Sequence, residues 1–285
     1  MGKEQRYIMQ NTSHLFHCQI QTVQFAELGP SWDTELFVPQ RRLLPYGRLY
    51  FPVSGEGSVT FLEKTYTLER GKMLLIPPFA SVKLKCSDHL EKYWAHFNIW
   101  NSGKEWDLFM FCGKCLEWQV PEEKFAFVTE LFEKMIPFFS QEAFSNKLTL
   151  LDEEVNNSAI TLLLAPFLKS ILSDTRSLPM NRLLKLLDYL NSHIEEAPSL
   201  ETLGKVAGVV PDYLSSLFRK QLGASPVEFR NSLRLDKIRL DLNHRTHNLS
   251  EIAEKWGFSS EQAFSKWFKR QTGISPRAFR QKEDY

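Results

Sequence analysis

An internal repeat constrains the possible fold of this chain more than any other feature of its sequence. Residues Phe218–Arg230 read FRKQLGASPVEFR, and residues Phe268–Arg280 read FKRQTGISPRAFR. Seven of the thirteen positions are identical, namely Phe, Gln, Gly, Ser, Pro, Phe and Arg. Repetition of this density predicts two copies of one supersecondary unit in the last third of the chain.

Each copy has the pattern of a helix, a tight turn and a second helix. In the second copy the apolar spacing of Leu249–Trp256 indicates a short helix, and Gly257 suits the left-handed residue that ends it. Leu200–Ala207 and Gly208 occupy the same places in the first copy. The sequence therefore predicts two helix-turn-helix units, at about 198–221 and 249–271.

The second helix of each unit is predicted to have an apolar back and a polar, net-positive front. In the first unit we expect the buried side to be Tyr213, Leu214, Leu217 and Phe218. A helix of this kind is the element that enters a DNA major groove. The predicted DNA-contacting residues are Asp212, Ser215, Ser216, Arg219, Lys220, Ser260, Glu261, Gln262, Ser265, Lys266, Lys269 and Arg270.

Charge and spacing agree with double-stranded DNA as the partner. Residues 181–285 hold 17 Lys and Arg against 13 Asp and Glu, a balance of +4, while residues 1–180 hold 18 against 21, a balance of −3. The predicted helix Pro226–Leu242 spans about 25 Å between the two units, and successive major-groove visits lie about 34 Å apart. A single basic amphipathic helix usually has only a solvent-exposed polar face and no ligand, but two matching copies favour DNA binding.

The last third of the chain resembles the DNA-binding domain of the AraC/XylS family of bacterial transcription regulators. One departure is Val210, where the family usually has a Ser that caps the first recognition helix. The resemblance is carried by Tyr213–Phe218, Arg234-Leu235, Ile252-Ala253, Gly257-Phe258, Phe264–Lys269 and Gly273–Arg280.

The first part of the chain has the pattern of a β-barrel or sandwich. Its short apolar or alternating runs are separated by Gly and Pro, and Ser54–Gly57 and Glu69–Gly71 are predicted turns. After Pro121 the apolar spacing becomes helical, and the polar segment 174–179 is the predicted linker. The predicted strands include Gln19–Phe25, Arg48–Val53, Ser58–Leu62, Met73–Ile76, Ser81–Cys86 and Lys92–Ile99.

The family resemblance implies how these parts work together. It implies an α+β multidomain protein with a cupin-like β-barrel (1–118) that senses a small molecule, a helical dimerisation segment (119–176) and an all-α domain with two helix-turn-helix motifs (180–285). A homodimer would then recruit or block RNA polymerase.

Aromatic and polar residues of the barrel are candidate ligand contacts, and they suit a sugar or another amphiphilic metabolite. Alternation places Trp94, His96 and Asn98 on one face of a strand and Tyr93, Ala95 and Phe97 on the other, without showing which face is inside. The candidates are Trp32, Arg41 or its neighbour Arg42, Arg48, Tyr50, Trp94 and His96.

Enzymatic function, a metal and a cofactor are not expected. A metal-dependent cupin enzyme needs several converging His, yet no His lies between His17 and His89, and Val82 stands where a ligand His would fall. The pair Cys112 and Cys115 lacks a second close Cys pair, so a zinc site is not predicted. A regulator that needs no ligand, with the barrel as scaffold, is the stronger alternative.

The sequence also predicts a cytoplasmic protein. The N-terminus has no apolar segment behind its charges. The most apolar stretch, Ala159–Leu168, is interrupted by Pro166 and is about half the ~20 residues that a membrane span needs.

Overall fold

The computed structural model of the chain describes residues 16–33, 43–101, 107–110, 112–139, 150–172, 180–244 and 247–282. The chain forms two compact units. Tyr46–Ser177 makes up most of the first, here called the sheet unit, and Leu178–Arg219 with Ala224–Tyr285 makes up most of the second, the helical unit. Within the described ranges, every helix is too short or too polar to cross a lipid bilayer.

The sheet unit contains one antiparallel sheet, which confirms the predicted β class. The strand order is β1-β5-β2-β4-β6, and β3 pairs with β2. Because β1 and β6 end this order, the described strands form an open sheet, and the closed barrel predicted from the sequence is not present among them. The strands are β1 (Phe16–Leu28), β2 (Gly47–Phe61), β3 (Lys64–Glu69), β4 (Lys72–Ile76), β5 (Val82–Asn101) and β6 (Leu116–Gln119).

Strands β2 and β5 are each longer than the sequence predicted, and in β2 the reason is that a predicted turn is a bulge. Ser54–Gly57 lies inside β2, where the pairing with β5 shifts on both sides of it. Gly55 has φ +72, and a Cβ there would lie 2.1 Å from the His89 carbonyl oxygen. Glycine thus allows β2 to bend across β5 without breaking. The predicted turn at Gly71, with φ +76, does separate β3 from β4.

Two helices cover one face of the sheet. They are α1 (Glu122–Met135), which runs into a short 3-10 helix, and α2 (Leu150–Leu172). Phe132 of α1 stacks on Phe51 of β2 at 5.9 Å and on Tyr93 of β5 at 5.4 Å between ring centroids. The opposite face buries a separate cluster that includes Tyr50, Phe61, Tyr66, Leu74 and Cys86.

The helical unit contains seven α-helices in its described residues. The first helix-turn-helix unit is α4 with α5, the second is α7 with α8, and the long helix α6 runs between them. The helices are α3 (Met180–Ser192), α4 (Leu200–Ala207), α5 (Pro211–Leu222), α6 (Pro226–His244), α7 (Leu249–Lys255), α8 (Glu261–Thr272) and α9 (Pro276–Lys282).

The two units of the repeat pack in the same way. Phe218 of α5 meets Phe229 of α6 edge-to-face, with ring centroids 5.5 Å apart and planes at 71°. Phe268 of α8 meets Phe279 of α9 at the same distance and the same angle. These four residues are the two Phe of each thirteen-residue repeat, so the repeated sequence encodes a repeated contact.

The repeated Ser-Pro and Arg also have structural roles. The hydroxyls of Ser225 and Ser275 accept from the amides of Glu228 and Ala278, so each Ser caps the helix that begins at the following Pro. The guanidinium of Arg230 donates to the carbonyl of Pro198 at 2.6 Å.

Arg280 holds the second unit in the corresponding way. Its guanidinium donates to the carbonyl of His247, the residue before the N-cap Asn248 of α7. Pro198 likewise precedes Ser199, the N-cap of α4. Each repeat therefore ends in an Arg that ties its last helix to the start of its own first helix.

Helix α6 also contacts the second unit through charged side chains. The carboxylate of Asp241 accepts from the Trp256 indole N–H at 2.7 Å and lies 2.9 Å from the Lys255 ammonium. The buried Arg234 guanidinium lies 4.5 Å from the centre of the Phe258 ring. Desolvation by burial lowers the pKa of Arg234 to about 10. These contacts fix α6 against the turn of the second unit.

Changing the cap at Val210 tests the difference between the two recognition helices. In the second unit Ser260 accepts from the Ala263 amide at 3.1 Å, whereas Val210 occupies the matching place in the first unit with its side chain 66% exposed. We expect Val210→Ser to raise the free energy of unfolding by about 1 kcal/mol and Ser260→Ala to lower it by a similar amount. Urea denaturation of both variants measures this, and equal stability of wild type and Val210→Ser would contradict it.

Substituting the repeated Arg tests the hydrogen bond that ties the last helix of each unit to the start of its first helix. Arg280→Met should lower the free energy of unfolding by about 1–3 kcal/mol, because the His247 carbonyl loses a charged donor while the apolar stem is kept. Arg230→Met should act similarly on the first unit. The exposed Arg277 of α9 offers a matched control, since Arg277→Met removes the same charge without such a bond. A loss at Arg277 equal to that at Arg280 would show that only net charge matters.

Candidate functional site

The second recognition helix, α8, presents a polar front above a buried apolar back. Phe264 and Phe268 are fully buried, and Ser265 is half-buried between the two sides. The hydroxyl of Ser260 is used as the helix cap, so its first role is structural. The exposed predicted residues of this helix are Glu261, Gln262, Lys266, Lys269 and Arg270.

The first recognition helix, α5, has the same arrangement with one correction to the predicted buried side. Tyr213 is 53% exposed, although the sequence pattern placed it in the core. It lies about 100° around the helix from Leu214, at the edge of the apolar stripe, and its place in the second unit is taken by the small Ala263. Tyr213 thus joins the exposed front. The predicted residues on this front are Asp212, Ser216, Arg219 and Lys220, which are exposed, and Ser215, which is half-buried.

The exposed fronts combine two kinds of polar group. Carboxylates and amides near the start of each helix, such as Asp212 and Gln262, match exocyclic amines and adenine edges of the major groove. Lys220, Lys269 and Arg270 lie in the later turns, where long cationic side chains reach phosphates. The N-terminus of each helix adds a partial positive charge.

In the sheet unit, the pairing of β2 with β5 brings four predicted ligand residues together. Arg48 lies directly opposite His96, and Tyr50 directly opposite Trp94. Trp32 adds a ring 6.2 Å from that of Tyr50. The predicted residues Arg41 and Arg42 lie outside the described residues.

The structure also decides which face of β5 carries these residues. Tyr93, Ala95 and Phe97 belong to the core under α1 and α2. Trp94 packs against the cluster on the opposite face, the one that these two helices do not cover. Tyr50, Trp32 and Trp94 therefore belong to the face of the sheet that α1 and α2 do not cover.

A lysine that the sequence reasoning missed lies among these aromatic rings. Lys92 is only 3% exposed, and its ammonium lies 3.6 Å from the centre of the Tyr50 ring, 5.2 Å from Trp32 and 5.8 Å from Trp94. Its position two residues before Trp94 gives it the same face of β5. That alternation was the available signal, but Lys is rarely buried, so the sequence alone indicated a surface residue.

The second buried cation of this face is Arg48. It is 4% exposed, and its Nη2 donates to the Ala80 carbonyl at 2.8 Å, while its Nε has no hydrogen-bond partner among the described residues. Burial, together with the charge of Arg48, lowers the pKa of Lys92 to about 7. Burial raises the pKa of Tyr50, and the Arg48 guanidinium opposes that rise. This group of Trp32, Arg48, Tyr50, Lys92 and Trp94 is called the aromatic-cationic cluster below.

The cysteines do not form a site of their own. All four are free, and burial raises the pKa of the Cys115 thiol to about 12, which disfavours the thiolate needed for metal binding or redox chemistry. Among the described residues there is no group of three or more His, Cys, Asp or Glu that could hold a metal ion.

Comparison with known proteins identifies the helical unit. Residues 203–282 match the family model described as a helix-turn-helix domain. The chain is 35% identical over 92 residues to the HTH-type transcriptional regulator YobQ of Bacillus subtilis, which is 32% of this chain and 38% of that protein. It is 27% identical over 128 residues to the transcriptional regulator LumQ of Photobacterium leiognathi, 45% of this chain and 50% of that one. The matched parts thus span half or less of these relatives.

Solved structures with the same overall fold extend over nearly the whole chain. A ligand-free point variant of ToxT from Vibrio cholerae has a TM-score of 0.51 at 13% identity, covering 95% of this chain and 97% of that one. Wild-type ToxT with bound unsaturated fatty acid has a TM-score of 0.50 at 13% identity, covering 95% of each chain. At this identity the likeness concerns the fold alone.

The family match falls on the two repeated units, which share their exposed polar fronts and their Phe and Arg contacts. The helical unit of this chain is a helix-turn-helix domain of the AraC type.

Proposed function

We propose that the whole chain is a sequence-specific transcription regulator whose DNA binding is controlled by a small molecule held in the sheet unit. The observation that carries the DNA-binding part is the pair of recognition helices, α5 and α8, which pack alike and leave matching polar fronts exposed. A bound dimer would place these helices so that RNA polymerase is recruited or blocked.

One protomer has the means to contact two successive major grooves. Helix α6 has 19 residues and so a length of about 28 Å. With the width of the flanking helices, this approaches the ~34 Å between grooves on one face of a duplex. Because each recognition helix is tied to α6 or α9 by its Phe pair, the two fronts act as one rigid reading surface.

Two substitutions on α8 distinguish a side chain that reads bases from one that binds phosphates. Gln262→Ala should cost about 1–3 kcal/mol at the preferred site and change affinity for unrelated DNA little. Lys269→Ala should weaken binding to all sequences alike and reduce the salt slope by about 1. Titration of full-length protein with its promoter DNA and with scrambled DNA at several salt concentrations measures both.

The matched control is Gln24→Ala, an exposed Gln on β1 of the sheet unit, which should leave both affinities unchanged. Equal losses on promoter and scrambled DNA for Gln262→Ala would show that Gln262 reads no base. No binding of the wild type to either DNA would contradict the proposed function itself.

The aromatic-cationic cluster supports control by a small molecule. It combines rings that can pack on an apolar body with buried polar groups, the usual composition of a ligand site. The structurally similar wild-type ToxT was solved with a bound unsaturated fatty acid. The sugar expected from the sequence stays a prediction. A ligand would act by binding one arrangement of the protein more tightly than another.

Two alternatives predict different behaviour. A regulator that uses its sheet unit only as a scaffold would bind DNA with the same affinity in the presence of every metabolite. A metal-dependent enzyme of the cupin type would contain iron, manganese or zinc in stoichiometric amount. We propose a non-enzymatic regulator because the domain match is to a DNA-binding module.

An exposed apolar stripe on α2 supports a homodimer. Leu151, Val155 and Leu162 are 73%, 56% and 59% exposed, and they recur at intervals of four and seven residues. Such a stripe is the seam by which two helices pack in a coiled coil. A second copy of the chain, offering the same stripe, gives a self-complementary contact.

Leu162→Lys tests this dimer. A charge in the middle of the stripe should shift the protein from dimer to monomer at micromolar concentration, because burying an unpaired ammonium is costly. Analytical ultracentrifugation measures the change. Leu240 of α6 has the same 59% exposure, so Leu240→Lys is the matched control and should remain dimeric. A dimeric Leu162→Lys variant would place the interface elsewhere.

A further inference from the structure

The aromatic-cationic cluster holds two cations inside the protein. Arg48 is 4% exposed and Lys92 is 3% exposed, and both stand on the same face of the sheet against Tyr50. The ion pairs formed by the described residues involve neither side chain. Burying a charge is costly unless an opposite charge or a full set of hydrogen bonds compensates it.

The protein offers only partial compensation within its described residues. Arg48 donates to the Ala80 carbonyl and is hydrogen-bonded to Tyr50, but its buried Nε has no partner there. Lys92 is surrounded by ring faces, which attract a cation but accept no strong hydrogen bond. A cluster of this kind has the donors and charges to bind an anion.

Other lysines of the same sheet show that this arrangement is not the rule. Lys64 also lies over a tyrosine ring, 4.5 Å from the centre of Tyr66, but its side chain is 67% exposed and lies 3.9 Å from the Glu117 carboxylate. Lys72 is held by Glu69 and Glu117. Among these lysines, Lys92 is distinguished by deep burial without a carboxylate.

We propose that the effector is a small monocarboxylate with an apolar body, whose carboxylate binds between Arg48 and Lys92 while its body packs on Trp32, Tyr50 and Trp94. This rests on the proposed function, since it names the ligand class of the sheet unit, and it narrows the sugar or other amphiphilic metabolite expected from the sequence to a carboxylate. Two cationic donors complement the two oxygens of a carboxylate, and the three rings exclude water from the pair.

Binding should depend on pH through Lys92. Among the described residues, the titratable groups that face its ammonium are Arg48 and Tyr50 from β2. The pKa of Lys92 is lowered to about 7, so the charged form that attracts an anion is favoured below that pH. Affinity for a carboxylate should fall about tenfold between about pH 6 and about pH 8, with uptake of a proton on binding at the higher pH.

The experiment compares carboxylates with their neutral amides on the full-length protein. The probes are phenylacetate, indole-3-acetate and decanoate, each paired with its primary amide, and the readouts are calorimetric Kd and thermal unfolding. We expect at least one carboxylate to bind and its amide to bind roughly 10–100 times more weakly, since the charge-assisted bonds are lost.

Variants assign the effect to the two cations. Lys92→Met and Arg48→Gln should each weaken the carboxylate roughly 10–100-fold, and Lys92→Arg should retain most of the affinity. Lys64→Met is the matched control and should bind as the wild type does. Lys92→Met removes an uncompensated buried charge, so this variant should fold at least as stably as the wild type.

The outcomes separate this inference from the proposed function. Carboxylate binding that is lost in Lys92→Met, with promoter binding altered by the probe, supports both. Equal affinity for acid and amide, no response to any carboxylate, or unchanged binding in Lys92→Met would overturn the carboxylate inference, while intact promoter binding would leave the DNA-binding proposal standing. Failure of the protein to bind promoter DNA both with and without a bound carboxylate would instead contradict the proposed function.

Discussion

The edge-to-face contact between two phenylalanines is the interaction on which the reading surface depends. Phe218 with Phe229, and Phe268 with Phe279, fix each recognition helix against the helix that follows it. Aromatic pairs have a preferred geometry, so the contact sets an orientation as well as adding apolar burial. Helix α6 starts at the first of these pairs and reaches the second unit through Asp241. One helix thereby relates both recognition helices to each other.

One face of the sheet forms a stable apolar core, and the other face carries the proposed ligand site. The face under α1 and α2 is an apolar core in which Phe51, Tyr93 and Phe132 stack. The opposite face accepts Arg48 and Lys92, two buried cations that reduce stability unless something compensates them. Side chains alternate along β5, so adjacent residues belong to these two different environments. A ligand that brings a negative charge next to these cations would therefore stabilise the state that binds it.

Local sequence patterns predicted the helical unit well and the sheet unit less well. The Ser caps, the Gly turns and the apolar backs of α5 and α8 involve residues within a few positions of each other. Tyr213 was placed wrongly because it lies at the edge of the apolar stripe, where burial depends on the neighbouring helix. Gly55 was interpreted as a turn because bulges and turns favour the same residue, and only the partner strand distinguishes them. Lys92 escaped notice because its burial depends on rings from other segments.

The sequence by itself determined the repeat, the helix-turn-helix units, the polar fronts and the β class of the first unit. Each of these follows from short-range periodicity and from the conformations that Gly, Pro and Ser allow. The tertiary structure decided which face of β5 is covered, that the described strands form an open sheet, and that Arg48 and Lys92 are buried together beside Tyr50. The neighbouring positions of Arg48, Tyr50, Lys92 and Trp94 arise from the pairing of β2 with β5, in which Tyr50 lies opposite Trp94 and Arg48 opposite His96, both distant in the sequence. Alternation along one strand defines two faces, but only the elements packed against them give each face its environment.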